Sequence, residues 1–165
     1  MKPGVIISLL SIFFIISLLS SCEKSKIETD SIYSNSFEKE ADLVGWEGYY
    51  VLNNDTPISG GNQSIYISGG CVIPHAYYEL GPFDDDLKLS IQCWGKNLDN
   101  GGEVSLATED YSSSIYLSIQ DSDWKFYTTD STLFCPAGKK LQLNLSSGGF
   151  VSSAMLIDMI KILKK

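Results

Sequence analysis

The feature that most constrains this chain is a period of two. Leu87, Leu89, Ile91 and Cys93 alternate with Lys88, Ser90, Gln92 and Trp94. Ile115, Leu117 and Ile119 alternate with Tyr116, Ser118 and Gln120, and Leu141, Leu143 and Leu145 with Gln142, Asn144 and Ser146. Side chains of an extended strand point to opposite faces in turn, so each run predicts a strand with one face in a core. Weaker runs predict strands at Tyr49–Leu52, Ser64–Ile67, His75–Leu80, Glu103–Thr108, Lys125–Thr129 and Ala154–Leu163. Turn formers separate them, among them Gly81-Pro82, Pro136-Ala137-Gly138 and Asn100-Gly101-Gly102, the last being the strongest hairpin signal. Eight or nine short strands so spaced predict an all-β, two-sheet antiparallel β-sandwich. Ala154–Leu163 also fits an amphipathic helix, with Ile157, Ile160 and Leu163 on one side. Its β-branched content favours a strand.

The first residues read as an address. After Lys2 comes an almost continuous apolar run from Val5 to Leu19, short for a bilayer span and suited to the core of a secretory signal. Leu19-Ser20-Ser21-Cys22 resembles the lipobox of bacterial lipoproteins. The resemblance implies that residues 1–21 are removed and that Cys22 is acylated. An N-terminal transmembrane anchor, or an ordinary signal cut near Ser21, is the alternative. More than one acyl chain gives durable attachment, so the lipid would hold the protein to the membrane. Residues 22–31 would be the acylated cysteine and a polar, flexible tether, and residues 32–165 one domain. The expected location is the cell envelope, at the outer membrane, with the lipid-anchored protein facing the periplasm or the surface.

Charge narrows the partners. All 12 cations among the 165 residues are lysines, against 20 Asp and Glu, for a net charge of -8. An acidic chain without arginine lacks the guanidinium forks and basic face that nucleic acid requires. It also lacks a polybasic lipid-binding surface. His75 is the only histidine, and neither G-x-S-x-G nor H-E-x-x-H occurs. No spaced carboxylate set suggests a glycosidase, so the chain reads as a binder rather than an enzyme. Asp84-Asp85-Asp86 and Asp121-Ser122-Asp123 read as solvated turns. Cys71, Cys93 and Cys135 permit one disulfide at most and do not indicate which pair; Cys93 falls in the inward register.

Register also selects candidate binding residues. If Ala76, Tyr78 and Leu80 face inward, then Tyr77 and Glu79 face outward, together with Gln92, Trp94, Tyr116, Gln142 and Asn144. Aromatic rings offer platforms for the apolar C–H faces of sugars, and amides and carboxylates offer directed hydrogen bonds. The bland alternative is that such aromatics stabilise the sheet through cross-strand pairs or lie under a loop.

Four motifs in order resemble the galactose-binding-like jelly roll of carbohydrate-binding modules. They are Asn35-Ser36-Phe37-Glu38 followed by Gly45-Trp46, the strand Leu87–Trp94, Asp123-Trp124-Lys125-Phe126-Tyr127, and Ile157-Asp158-Met159-Ile160-Lys161-Ile162. The resemblance implies core positions for Trp46 and Trp124 and a non-catalytic glycan ligand. It also implies one structural calcium, carried by Glu38 and Asp158 with backbone carbonyls of the Gly60–Ser64 loop. Met159 stands where the family pattern has a second aspartate. The competing function is a structural or protein-interaction lipoprotein, an envelope subunit or adhesin, without a sugar site.

Overall fold

The computed structural model describes residues 30–69, 75–148 and 152–165. The expected signal segment, Cys22, most of the expected tether and Cys71 lie outside the described residues. Ser31, placed in the tether by sequence, is the first residue of a strand.

Two antiparallel sheets face each other. Sheet I contains β1 (Ser31–Asn35), β3 (Val51–Asn53), β4 (Ser64–Ser68), β6 (Leu87–Asp99), β9 (Lys125–Thr128), β10 (Leu133–Cys135) and β12 (Ala154–Lys164). Its order is β10-β6-β12-β4-β3, with β9 also on β6 and β1 also on β12. Sheet II, in spatial order, is β2 (Trp46–Gly48), β5 (His75–Leu80), β11 (Leu141–Ser147), β7 (Gly102–Thr108) and β8 (Ser114–Ile119). A single 3-10 turn, Glu40–Leu43, is the only helical element among the described residues.

The alternating apolar sets meet between the sheets. Leu89, Ile91, Cys93, Ile157, Ile160 and Ile162 of sheet I pack toward Val104, Leu106, Leu117, Leu141, Leu143 and Leu145 of sheet II, all in one buried cluster. Leu143 is fully buried on the central strand of sheet II. Leu143→Ala should therefore destabilise the domain by about 2–5 kcal/mol, the transfer term plus an unfilled cavity. Chemical denaturation checks this; a loss below about 1 kcal/mol would mean that the core collapses around the site. Cys93 and Cys135 are buried free thiols. Burial pushes the Cys93 thiol far above its ordinary range.

The opening motif is structural. Asn35 Oδ1 accepts the Phe37 N–H at 2.8 Å, and its amide donates to Asp42 O and to the Tyr33 hydroxyl. Trp46 Nε1 donates to the same hydroxyl at 2.9 Å, and the Phe37 and Trp46 rings pack edge to face. Trp46 is thus a core residue.

Two expectations are corrected. Asn100-Gly101 has the positive φ angles of a tight turn, yet β6 and β7 do not pair. Both flanks of β6 are already taken, by β12 and by β9 and β10, so the turn carries the chain across to sheet II. Trp124 is not in the core. It is half-buried, and its Nε1 donates to Asp55 Oδ1 at 2.8 Å in the loop before β4.

The last segment is a strand with a bulge. Asp158 pairs with Trp94 but Lys161 with Gln92, so β12 holds one extra residue, with Met159 at φ 50°. That insertion returns Ile160 and Ile162 to the core. It also explains the three-residue spacing of Ile157 and Ile160 that imitates a helix.

Candidate functional site

Five of the seven candidate ligand residues share the outer face of sheet II. Cross-strand pairing sets Glu47, Tyr77, Asn144, Ser105 and Tyr116 in one row across β2, β5, β11, β7 and β8. The next row is Glu79, Gln142, Ala107 and Ser114. Asn144 and Ser105 form a low central floor, with Tyr77 on one flank and Tyr116, 64% exposed, on the other. The result is a trough with tyrosine flanks and amide and hydroxyl groups between them. Tyr77 donates its hydroxyl to Glu47, a carboxylate that raises the phenol's pKa by holding its proton. His75 is exposed beside Tyr77, at the start of β5, as expected for a strand-end residue.

Trp94 and Gln92 do not belong to that face. Both lie on β6, so they line the outer face of sheet I, with the whole core between them and the trough. Strand register fixes which side of its own sheet a residue faces, and two outer faces of a sandwich point in opposite directions. Trp94 is half-buried and packs edge to face on Phe126 of β9. It is therefore not a partner of the trough tyrosines.

The two candidate metal ligands converge on one loop. Alternation after the inward Ile157 turns Asp158 outward, under the segment between β3 and β4, where it is fully buried. Its Oδ1 accepts the Met159 N–H at 2.6 Å; its Oδ2 has no partner. Burial, with the Glu38 charge adding to it, pushes this carboxyl up to about 7. Glu38 accepts the N–H groups of Asn62 and Gln63. A Cβ on Gly60 would collide with Asp158 Oδ2, and one on Gly61 (φ 79°) with Glu38 Oε1. Two glycines let the loop backbone lie against both carboxylates. An orphaned buried oxygen beside a backbone-rich loop fits a hard cation, which takes six to eight oxygens and accepts carbonyls. Among the described residues no group of three or more His, Cys, Asp or Glu gathers, so backbone carbonyls would have to complete any such set.

The acidic runs serve as turns. Asp86 accepts the Ala137 N–H, and Asp121 accepts the Tyr127 hydroxyl and pairs with Lys125. Asp55 pairs with Lys96 at 2.7 Å as well as with Trp124, and these bonds hold its carboxyl below the ordinary range.

Sequence reading missed Tyr111. It sits in the β7–β8 turn at φ 56°, 67% exposed, and donates to Gln142 Oε1 at 2.7 Å. Asp110, held well below the ordinary carboxylate range by Ser112, Lys139 and Thr108, braces the turn. A turn residue has no alternation to give it away. Its only signal was an aromatic amid Thr108, Asp110, Ser112 and Ser113.

No protein-family model matches this sequence, and no curated protein matches it. Solved structures do share its architecture. A family 16 carbohydrate-binding module superposes with a TM-score of 0.59 at 13% identity, covering 73% of this chain and 92% of the module. The CBM22-1 xylan-binding domain of Paenibacillus barcinonensis Xyn10C gives 0.55 at 15% identity, over 82% of this chain and 95% of that domain. The chain spans only about a quarter of two longer proteins it also matches. One is an arabinose-bound α-L-arabinofuranosidase (TM-score 0.53, 10% identity, 82% of this chain and 25% of that one). The chain therefore has the jelly-roll β-sandwich fold of carbohydrate-binding modules.

Proposed function

We propose that the protein is a non-catalytic carbohydrate-binding lipoprotein whose glycan lies in the trough of sheet II. The observation that carries this is the row Tyr77, Asn144, Ser105 and Tyr116, two aromatic flanks around a polar floor on an outward sheet face. Sugar rings stack on the tyrosines, while Asn144, Gln142 and Glu79 direct hydrogen bonds to hydroxyls. The xylan-binding domain that shares the fold supports this ligand class. The test is a glycan array and affinity electrophoresis with residues 23–165. Absence of binding across plant, host and bacterial glycans would favour the protein-partner reading instead.

Calcium would be held by Glu38 and Asp158 with carbonyls of the Gly60–Ser64 loop. Bound there, it would neutralise the buried carboxylate and fix the loop, remote from the trough. It would stabilise the fold, and the trough residues would contact the sugar.

Anchoring would rest on Cys22, with the envelope as the site of action. Cys22→Ser should eliminate metabolic labelling by an alkynyl fatty acid and move the protein out of the membrane fraction. Persistent membrane association without label would favour an uncleaved N-terminal anchor.

A further inference from the structure

We propose that the trough is a chain-end site: its Tyr111 end receives the terminal unit of a glycan and stops the chain from running through. This rests on the glycan-binding reading above.

The trough runs along the strands, and one end of it is built up. Tyr111 starts in the β7–β8 turn and reaches Gln142 on β11. To do so its side chain must pass over the end of β7. Ala107, which faces outward there between Gln142 and Ser114, is only 3% exposed. The aromatic thus closes the face at this end. Behind it, Glu109 N–H donates to Lys140 O at 3.1 Å, drawing the β7–β8 turn against the chain that enters β11. Lys139 pairs with Asp110 at 3.0 Å and Lys140 with Glu79 at 3.5 Å, so the bounding side chains are tied to one another. Between these walls is a cleft of about 260 Å³ lined by Glu79, Glu109, Tyr111, Lys140, Leu141 and Gln142.

Tyr111 is a bulky residue in the left-handed region, a conformation that favours glycine. Strain of this kind persists where surrounding structure enforces it, and it concentrates at ligand clamps. Here Asp110 enforces it, through the Ser112 backbone and the Thr108 and Ser112 hydroxyls. At the other end of the face the row is His75, Ser146, Glu103 and Ser118; His75 stacks on Tyr77 of its own strand, and among the described residues no hydrogen bond joins the side chains of that row.

The test uses the full protein with soluble β-1,4-xylan and β-1,4-galactan as probes, each intact and partly hydrolysed to the same mass. For whichever probe binds, the half-saturating mass concentration should fall in proportion to the number of chain ends. Tyr111→Gly keeps the turn, since glycine suits φ 56°. It should lower affinity for the hydrolysed probe about tenfold and erase the dependence on ends. Gln142→Ala, which frees the Tyr111 hydroxyl, should act in the same direction with an unchanged melting temperature. Binding that follows total mass whatever the number of ends would overturn the chain-end site and leave the glycan reading standing. Failure to bind either probe or any glycan of a wider array would remove both.

Discussion

Metal-free protein should lose stability as the pH rises from about 4 to 7, and calcium should restore it. Asp158 is fully buried, and its folded-state pKa is raised from the ordinary 3.8 to about 7. A carboxyl raised on folding binds a proton in the folded state that the unfolded chain has released. Its contribution is complete below the unfolded pKa and is lost as the pH climbs through the folded one. At about 1.36 kcal/mol per pH unit, the upper bound is on the order of 4 kcal/mol, or on the order of 10 °C in melting temperature. Asp55, Asp110 and Asp121 have lowered pKa values, so their contributions disappear below the ordinary carboxylate range and leave this window to Asp158. Calcium takes the carboxylate as an anion, so binding should strengthen with pH and offset the loss. Asp158→Asn should remove both the pH slope and the calcium response, while its amide oxygen can still accept the Met159 N–H. Calorimetry in chelator and in calcium measures all of this. A flat profile, or an equal calcium response in Asp158→Asn, would contradict the metal site.

Tyr77→Ala and Tyr116→Ala should each weaken glycan binding about tenfold or more, while Trp94→Ala leaves it unchanged. The two tyrosines flank the same row, and losing either removes one aromatic platform. Asn144→Ala should reduce affinity less, because water can replace part of its hydrogen bonding. Trp94 sits on the opposite outer face and has no path to the trough except through the core. Isothermal titration with the best array ligand resolves these changes. Binding abolished by Trp94→Ala and indifferent to the tyrosines would move the site to sheet I.

What alternation could and could not reveal follows from its physics. Period two fixes which side of its own sheet each residue takes, and so Tyr77, Glu79, Tyr116, Gln142 and Asn144 were legible as outward-facing. It does not say which sheet a strand joins. That depends on long-range pairing, and β6 joins β12 across a sequence separation of more than fifty residues. Alternation alone therefore groups Trp94 and Gln92 with residues from which the core separates them. Short strands such as β2 and β10, of three residues each, offer too few positions for a period to show. The bulge at Met159 disguises β12 for the opposite reason, by adding a residue that breaks the period within a long strand. Glu38 and Asp158 were legible only through motif resemblance, since nothing local to either residue announces a shared loop.

The bond from Trp124 to Asp55 turns the loop into its own optical reporter. Asp55 opens the segment whose glycines lie against Glu38 and Asp158, and it holds an indole from a strand boundary 69 residues away. A rearrangement of that segment around a cation would change the polarity felt by the Trp124 ring. Tryptophan emission should therefore follow calcium titration without any added dye. Trp124→Phe should remove its share of the signal, leaving that of Trp94, the cross-strand partner of Asp158, and should leave the calcium-induced gain in melting temperature in place.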